Sequence, residues 1–270
     1  MRLNKKIMGI IEVEEVLDVV DEGATTPVRC RLENEMNAVV KYMKNPRGQI
    51  VLVNELLGSC IADLLGINNP EYGICNLSEE VISNTNCNEE IDIRNAGLAF
   101  FTKYYSSSVP PSLAMLSLVK NRETEKIMLF DHIVNNCDRH NGNLIIDLSG
   151  DAKLYIIDNS HIITEGNKTN IEFEITDEAI FSNRVLKRNK DIYDMLCYSV
   201  GYSEEKLLLE AQKISELITP EILEGIKSLI PTIWIDSIGK ENFEMIFKVL
   251  NRRVESIYDL GQMIIKERRK

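Results

Sequence analysis

No two of the six cysteines (Cys30, Cys60, Cys75, Cys87, Cys137 and Cys197) stand in a C-x-x-C pair. That spacing is what zinc ribbons and thioredoxin-type redox sites need, so both classes are excluded. Several cysteines fall in apolar runs, as in Gly58-Ser59-Cys60-Ile61-Ala62, where a free thiol acts as a small hydrophobe. The three histidines, His132, His140 and His161, share no metal-ligand spacing. No uninterrupted apolar stretch is long enough to span a bilayer. The start, MRLNKKIMGIIEVEEVL, meets acidic residues before a signal-peptide core develops. These absences predict no membrane partner and a reducing cytoplasm. Positive charge is also scarce: a net charge of -11 argues against a broad nucleic-acid surface, which needs clustered Lys and Arg. The one basic cluster, Lys266 to Lys270, reads as charge placed favourably at the end of a C-terminal helix. There is no internal repeat and no low-complexity segment.

What is present is ordinary in amount and specific in order. A chain of 270 residues, 44% hydrophobic and 27% charged, buries about three quarters of its unfolded surface and suits one large domain or two packed lobes. IMGIIEVEEVLDVV is strand-like, and VRCRLENEMNAVVKYM reads as two strands around a turn at Glu33–Asn37. In IVLVNELLGSCIADLLGI, residues Val53, Leu56, Leu57, Cys60, Ile61, Leu64 and Leu65 share one helical face, with Gly66 and then Pro70 as the stop. Two short strands, EYGICNL and GLAFFTKYY, flank a polar loop at 83–95. SSSVPPS is the candidate hinge. Beyond it TEKIMLFDHIVNN and the segments near 190–200, 204–218, 220–229 and 240–266 are helical, while LIIDLSGDAKLYIID forms a hairpin at Ser149-Gly150-Asp151. The expected class is α+β: a two-lobed, protein-kinase-like fold. Residues 1–105 form a β-rich N-lobe with one helix, and residues 106–270 a helical C-lobe carrying a small catalytic hairpin.

The densest polar run is Asn136-Cys137-Asp138-Arg139-His140-Asn141-Gly142-Asn143, bounded by an apolar helix and an apolar strand that hold it rigidly. Asp138 and Asn143 have the D-x-x-x-x-N spacing of a phosphotransferase loop. A carboxylate there takes a hydroxyl proton, and an amide oxygen holds Mg²⁺ without adding charge. Gly142 lets the backbone turn. Asp158 ends the hairpin, as a magnesium ligand or, in the blander reading, as an Asx-turn before Asn159-Ser160. Lys41, in Ala38-Val39-Val40-Lys41, fits a phosphate-binding lysine, with Lys44 a less well placed competitor. Glu55, mid-helix among apolar residues, is its candidate partner. Gly23, Ala24 and Thr25 could bring backbone N–H groups against phosphates or form an ordinary turn. His140 either contacts the γ-phosphate or hydrogen-bonds the loop backbone. Ser106, Ser107, Ser108, Thr164 and Thr169 fall in loops open to phosphorylation.

Taken together, these pieces resemble the HipA-like kinases of bacteria over nearly the whole chain. GATTP matches as the phosphate loop, VVKY as the lysine strand and LVNELLGSCIADLLGI as the glutamate helix. GLAFFTKYY matches the lead into the hinge, and FDHIVNNCDRHNGNLII with LYIIDNSHI the catalytic loop and metal-binding aspartate. IPTIWIDS and FKVLNRRVESI match the helical ending of the smaller members. CDRHNGN also resembles the loop of phosphoinositide kinases. The resemblance implies ATP and Mg²⁺, Asp138 as catalytic base, Asn143 and Asp158 as metal ligands, Lys41 and Glu55 as the phosphate-positioning pair, and Gly23 to Thr25 over the phosphates. It implies transfer to Ser or Thr of a protein, including the chain itself. Full-length HipA toxins carry a further N-terminal subdomain that partners an antitoxin, for which this chain has no room, so the resemblance does not carry over antitoxin binding or toxin function. Two other functions fit the same residues: a non-catalytic kinase-like module that binds nucleotide or protein, and the same fold acting on a small molecule.

Overall fold

The computed structural model describes residues 1–20, 25–87, 91–121, 123–163 and 171–270. In chain order its first elements are β1 (Lys6–Val19), β2 (Val28–Leu32), β3 (Asn37–Lys41), α1 (Ile50–Leu64), β4 (Tyr72–Leu77), α2 (Glu79–Ser83) and β5 (Gly97–Lys103). The five strands close into a barrel in the order β1-β2-β3-β5-β4. Closure depends on the length of β1. Its second half pairs antiparallel with β2, and its first half pairs parallel with β4, with Ile10 opposite Ile74. Strand pleating then sorts the side chains. Val28, Cys30, Leu32, Ala38 and Val40 fill the barrel, while Val39 and Lys41 point the other way into a cleft.

α1 departs from the expected one-sided helix. All of Ile50 to Asp63 is buried, polar residues included. It is packed against β4, β5 and two helices from the far end of the chain, so no side is left for water. Its end is as the sequence predicts: Gly66 has a φ of 64°, and the N–H groups of Gly66 and Ile67 bond the carbonyls of Asp63 and Ala62. The expectation of a single helix in the β-rich part is corrected by α2, capped by Ser78 Oγ accepting from the Val81 N–H. Five residues are too few to show a period. A 3₁₀ turn at Ile93–Asn95 likewise interrupts the expected loop.

The rest of the chain comprises β6 (Ser108–Val109), α3 (Leu113–Leu116), α4 (Thr124–Ile133), β7 (Leu144–Asp147), β8 (Lys153–Ile156), α5 (Asp177–Ile180), α6 (Arg184–Arg188), α7 (Lys190–Ser199), α8 (Glu204–Leu217), α9 (Pro220–Lys227), α10 (Thr232–Ile238), α11 (Lys240–Glu255) and α12 (Ile257–Arg268). The hairpin β7–β8 forms as expected. The candidate hinge contributes β6 to its edge, giving the order β6-β7-β8. The helix read over 240–266 is two helices. At Ser256 the hydroxyl donates to the Arg252 carbonyl, and α12 turns away to pack on α8 and α4. Trp234 of α10 is fully buried and donates its indole N–H to the Leu98 carbonyl of β5 at 3.2 Å. No helix among the described residues is long and apolar enough to cross a membrane.

The larger core cluster runs from α1 through α4 to α12 and encloses one histidine. His132 donates from Nδ1 to the Met128 carbonyl at 2.7 Å, and its Nε2 is buried without a partner. Burial pushes its pKa down to about 4. The fold therefore gains stability from the neutral ring above pH 6.5 and loses it as pH falls toward 4. The linkage amounts to about 3 kcal/mol. His132→Leu should thus gain about 2–3 kcal/mol relative to the wild type on going from neutral pH to about pH 4.5. Denaturant titrations of both proteins at the two pH values check it.

Candidate active site

The pleat that aims Lys41 out of the barrel brings its ammonium between two carboxylates. Lys41 Nζ lies 2.5 Å from Glu55 Oε1 and 2.9 Å from Asp158 Oδ1. Glu55 reaches it from the middle of α1, and its Oε2 accepts the Asn159 N–H at 3.1 Å. Burial opposes the charge on Lys41, but Asp158 and Glu55 outweigh it and hold the ammonium above the usual lysine range. Burial, reinforced by Asp158 and opposed by Lys41, pushes Glu55 up to about 7. Asp158 is pulled below the usual carboxylate range: burial works against ionisation, and Lys41 and Ser160 overcome it. Lys44 is exposed in the turn after β3 and takes no part.

Asp158 forms the Asx-turn of the blander sequence reading. It adopts a left-handed φ of 55°, which Asp tolerates, and its Oδ1 accepts the Ser160 N–H at 3.1 Å as an Asx-turn does. The same oxygen meets Lys41, and the side chain keeps 31% of its exposure. The turn presents the carboxylate instead of consuming it.

The loop before β7 is held from beneath by a residue that the sequence reading did not weigh. Arg139 is buried and forks onto Asp131 of α4, with Nη2 2.9 Å from Oδ1. Its Nη1 donates to the carbonyls of Asn143 at 3.0 Å and Ile157 at 3.1 Å. One guanidinium thus joins the loop before β7 to the residue preceding Asp158. Asp131 also accepts from Asn136 Nδ2 and the Tyr193 hydroxyl, and Asn189 bonds both the Arg139 N–H and the Asn136 carbonyl. The available signal was Asp131 itself, a charge inside the apolar run LFDHIV.

On this base Asn143 donates from Nδ2 to the Asp138 carbonyl at 2.6 Å and lies 3.4 Å from its Oδ2. The Asn143 carbonyl accepts the Ile157 N–H at 3.1 Å, so two hydrogen bonds connect Asp138, Asn143 and the Asp158 segment. His140 Nδ1 accepts the Gly142 N–H at 3.0 Å, and its Nε2 is 3.8 Å from Asp138 Oδ2. The backbone bond read for His140 from the sequence is therefore formed. Gly142 has no special φ, and a Cβ there would meet only the exposed His140 ring, at 2.9 Å. Thr25 is buried, whereas Gly23, Ala24, Thr164 and Thr169 lie outside the described residues. Thr26 bonds the Tyr42 hydroxyl at 3.1 Å.

A cleft of about 230 Å³ separates the barrel from the β6–β8 sheet. Val39 and Phe100 line it on the barrel side, Ile145 and Ile157 on the sheet side, and Lys41 and Asp158 also border it. Apolar walls with convergent charged groups suit a base attached to phosphates. A divalent cation fits as well. Two carboxylates share one ammonium, leaving an excess negative charge, and the adjoining donors are hard oxygens. Among the described residues no three His, Cys, Asp or Glu side chains cluster as a metal cage. A cation that keeps phosphates and water as ligands needs only one or two protein groups.

Two solved kinase structures share this architecture. The Helicobacter pylori proinflammatory kinase CtkA aligns over 96% of this chain and 99% of its own with a TM-score of 0.53 at 13% identity. The Golgi casein kinase with Mn/ADP bound aligns over 96% of this chain and 74% of its own, with a TM-score of 0.51 at 13% identity. At such identities the likeness establishes the kinase-like fold alone. No curated protein matches the chain in sequence. The family model for HipA-like kinases matches residues 13–255, nearly the whole span from β1 through α11, and the chain therefore belongs to the HipA-like kinase family.

Proposed function

We propose that this chain is an ATP- and magnesium-dependent serine/threonine protein kinase, able to phosphorylate itself, with two lobes meeting at the cleft. The observation that carries the reading is the Lys41 ammonium held between Glu55 and Asp158 at the cleft wall. Lys41 binds the α- and β-phosphates, with Glu55 fixing its position. Asn143 and Asp158 hold magnesium, which supplies charge neutralisation between the phosphates. Asp138 orients the acceptor hydroxyl and takes its proton as the new oxygen–phosphorus bond forms and the bond to the ADP oxygen breaks. Cys30, Cys60 and Cys75 are buried free thiols, in keeping with action in a reducing cytoplasm.

Incubating the purified chain with γ-labelled ATP and Mg²⁺ beside Asp158→Ala tests this. The wild type should carry label on Ser or Thr by mass spectrometry. The variant should carry none and bind Mg·ATP roughly 10–100-fold more weakly. Equal affinity would remove Asp158 from the metal site, and ATP binding without transfer to any protein would favour a nucleotide-binding module.

A further inference from the structure

Asp158 opens a segment whose backbone is unusual at both ends. Asp158 has a φ of 55° and Ile163 a φ of 61°, the latter an unfavourable conformation for a β-branched residue. Ile163 is tied down by its N–H to the Val134 carbonyl at 2.7 Å and by Asn135 Nδ2 to its own carbonyl at 3.2 Å. Between these ends the segment rests on α1 through three neighbouring positions. Asn54 Nδ2 donates to the carbonyls of Ser160 at 2.9 Å and Ile162 at 3.1 Å. Glu55 Oε2 accepts the Asn159 N–H. One turn on, Gly58 lies so close that a Cβ would meet Asn159 Cβ at 2.6 Å. α1 is buried along Ile50 to Asp63, so it has little freedom to yield.

We propose that Asn54 and Gly58 are positioning residues for the divalent cation, with α1 serving as the template that fixes the Asp158 segment. The inference rests on the reading of Asp158 as a metal ligand. Glu55 sets Lys41 from this helix, while Asn54 and Gly58 hold the residues that link the Asp158 carboxylate to the Ile163 anchor. Phosphate-binding and metal-binding groups are thereby registered against one another on a single rigid element. Neither residue touches a cation.

Two variants test it with Mn²⁺ as the probe. Asn54→Leu keeps the branching at Cγ, with two methyl groups in place of the amide oxygen and nitrogen, and removes both donated bonds. Gly58→Ala removes no bond, favours helix, and pushes on Asn159. Free Mn²⁺ is measured by electron paramagnetic resonance with ATP present, ATP affinity is measured separately without metal, and melting temperature reports the fold. Each folded variant should bind Mn²⁺ roughly 10–100-fold more weakly, the usual loss when a metal ligand loses its supporting partner, at unchanged metal-free ATP affinity. Wild-type Mn²⁺ affinity in the folded variants overturns the proposal, and so does an equal loss of metal-free ATP affinity, which marks a general structural role. If Asn54→Leu does not fold, Gly58→Ala decides alone. A wild type that binds no Mn²⁺ defeats the assignment of Asp158 and this inference with it, and is seen before any variant is made.

Discussion

Asp138→Ala should lower phosphoryl transfer roughly a thousandfold, within the range for loss of a positioned general base, while leaving the fold and Mg·ATP affinity intact. The separation is expected from how Asp138 is held. Its N–H donates to Asn136 Oδ1 and its carbonyl accepts from Asn143, and both bonds belong to the backbone, so alanine keeps them. The side chain is 44% exposed and contributes only the 3.4 Å approach of Asn143 Nδ2 and a 3.8 Å approach to the exposed His140 ring. Stability should change by no more than about 0.5 kcal/mol, as for other surface substitutions. Asp158→Ala removes a group that meets Lys41, so it acts on binding, whereas Asp138→Ala acts on turnover. Single-turnover transfer of label, run beside calorimetric titration with Mg·ATP, distinguishes them. Retained transfer would take the proton-accepting role from Asp138; lost ATP affinity would mean that the loop had moved.

Local rules reached the parts of the site that obey a short period. Lys41 was legible because alternation along Ala38-Val39-Val40-Lys41 puts Val39 and Lys41 on one face, which the cleft confirms as a shared lining. Glu55 was legible only once Lys41 had been chosen, since a mid-helix acid has no local signature. Asp138 and Asn143 stood out because polar residues bounded by apolar elements have few structural reasons to be there. What escaped notice depends on long-range closure. The parallel pairing of β1 with β4, which makes the barrel, joins Ile10 to Ile74 across α1. The full burial of α1 is set by the segment after Asp158 and by α9 and α10, where Trp234 reaches Leu98. An amphipathic pattern reports how many sides are apolar, and here polar side chains are buried because distant backbone satisfies them.

Arg139 shows the same limit with the largest expected effect on stability. The Arg139–Asp131 pair is fully buried on both sides. Removing one partner leaves an uncompensated charge, which typically costs 3–5 kcal/mol, so Arg139→Met should destabilise the fold by about that much. Burial already pushes the Asp131 carboxyl up against its partners. Without Arg139 it rises further, and a carboxyl raised in the fold favours folding at low pH and loses that contribution as pH rises. The deficit of the variant should therefore shrink as pH falls from about 7 toward about 5. Adding Asp131→Asn removes the orphaned charge and keeps an acceptor for Asn136 and Tyr193, so the double variant should recover much of the loss. Activity should not return with it. The carbonyls of Asn143 and Ile157 still lack their common donor, and only the Ile157 N–H bond to the Asn143 carbonyl then links the loop before β7 to the Asp158 segment. Denaturant midpoints for the wild type, the single variant and the double variant, compared with their transfer rates, test this. Recovery of both quantities together would show that Arg139 serves only the fold, whereas recovery of stability alone would assign it to the geometry of the site.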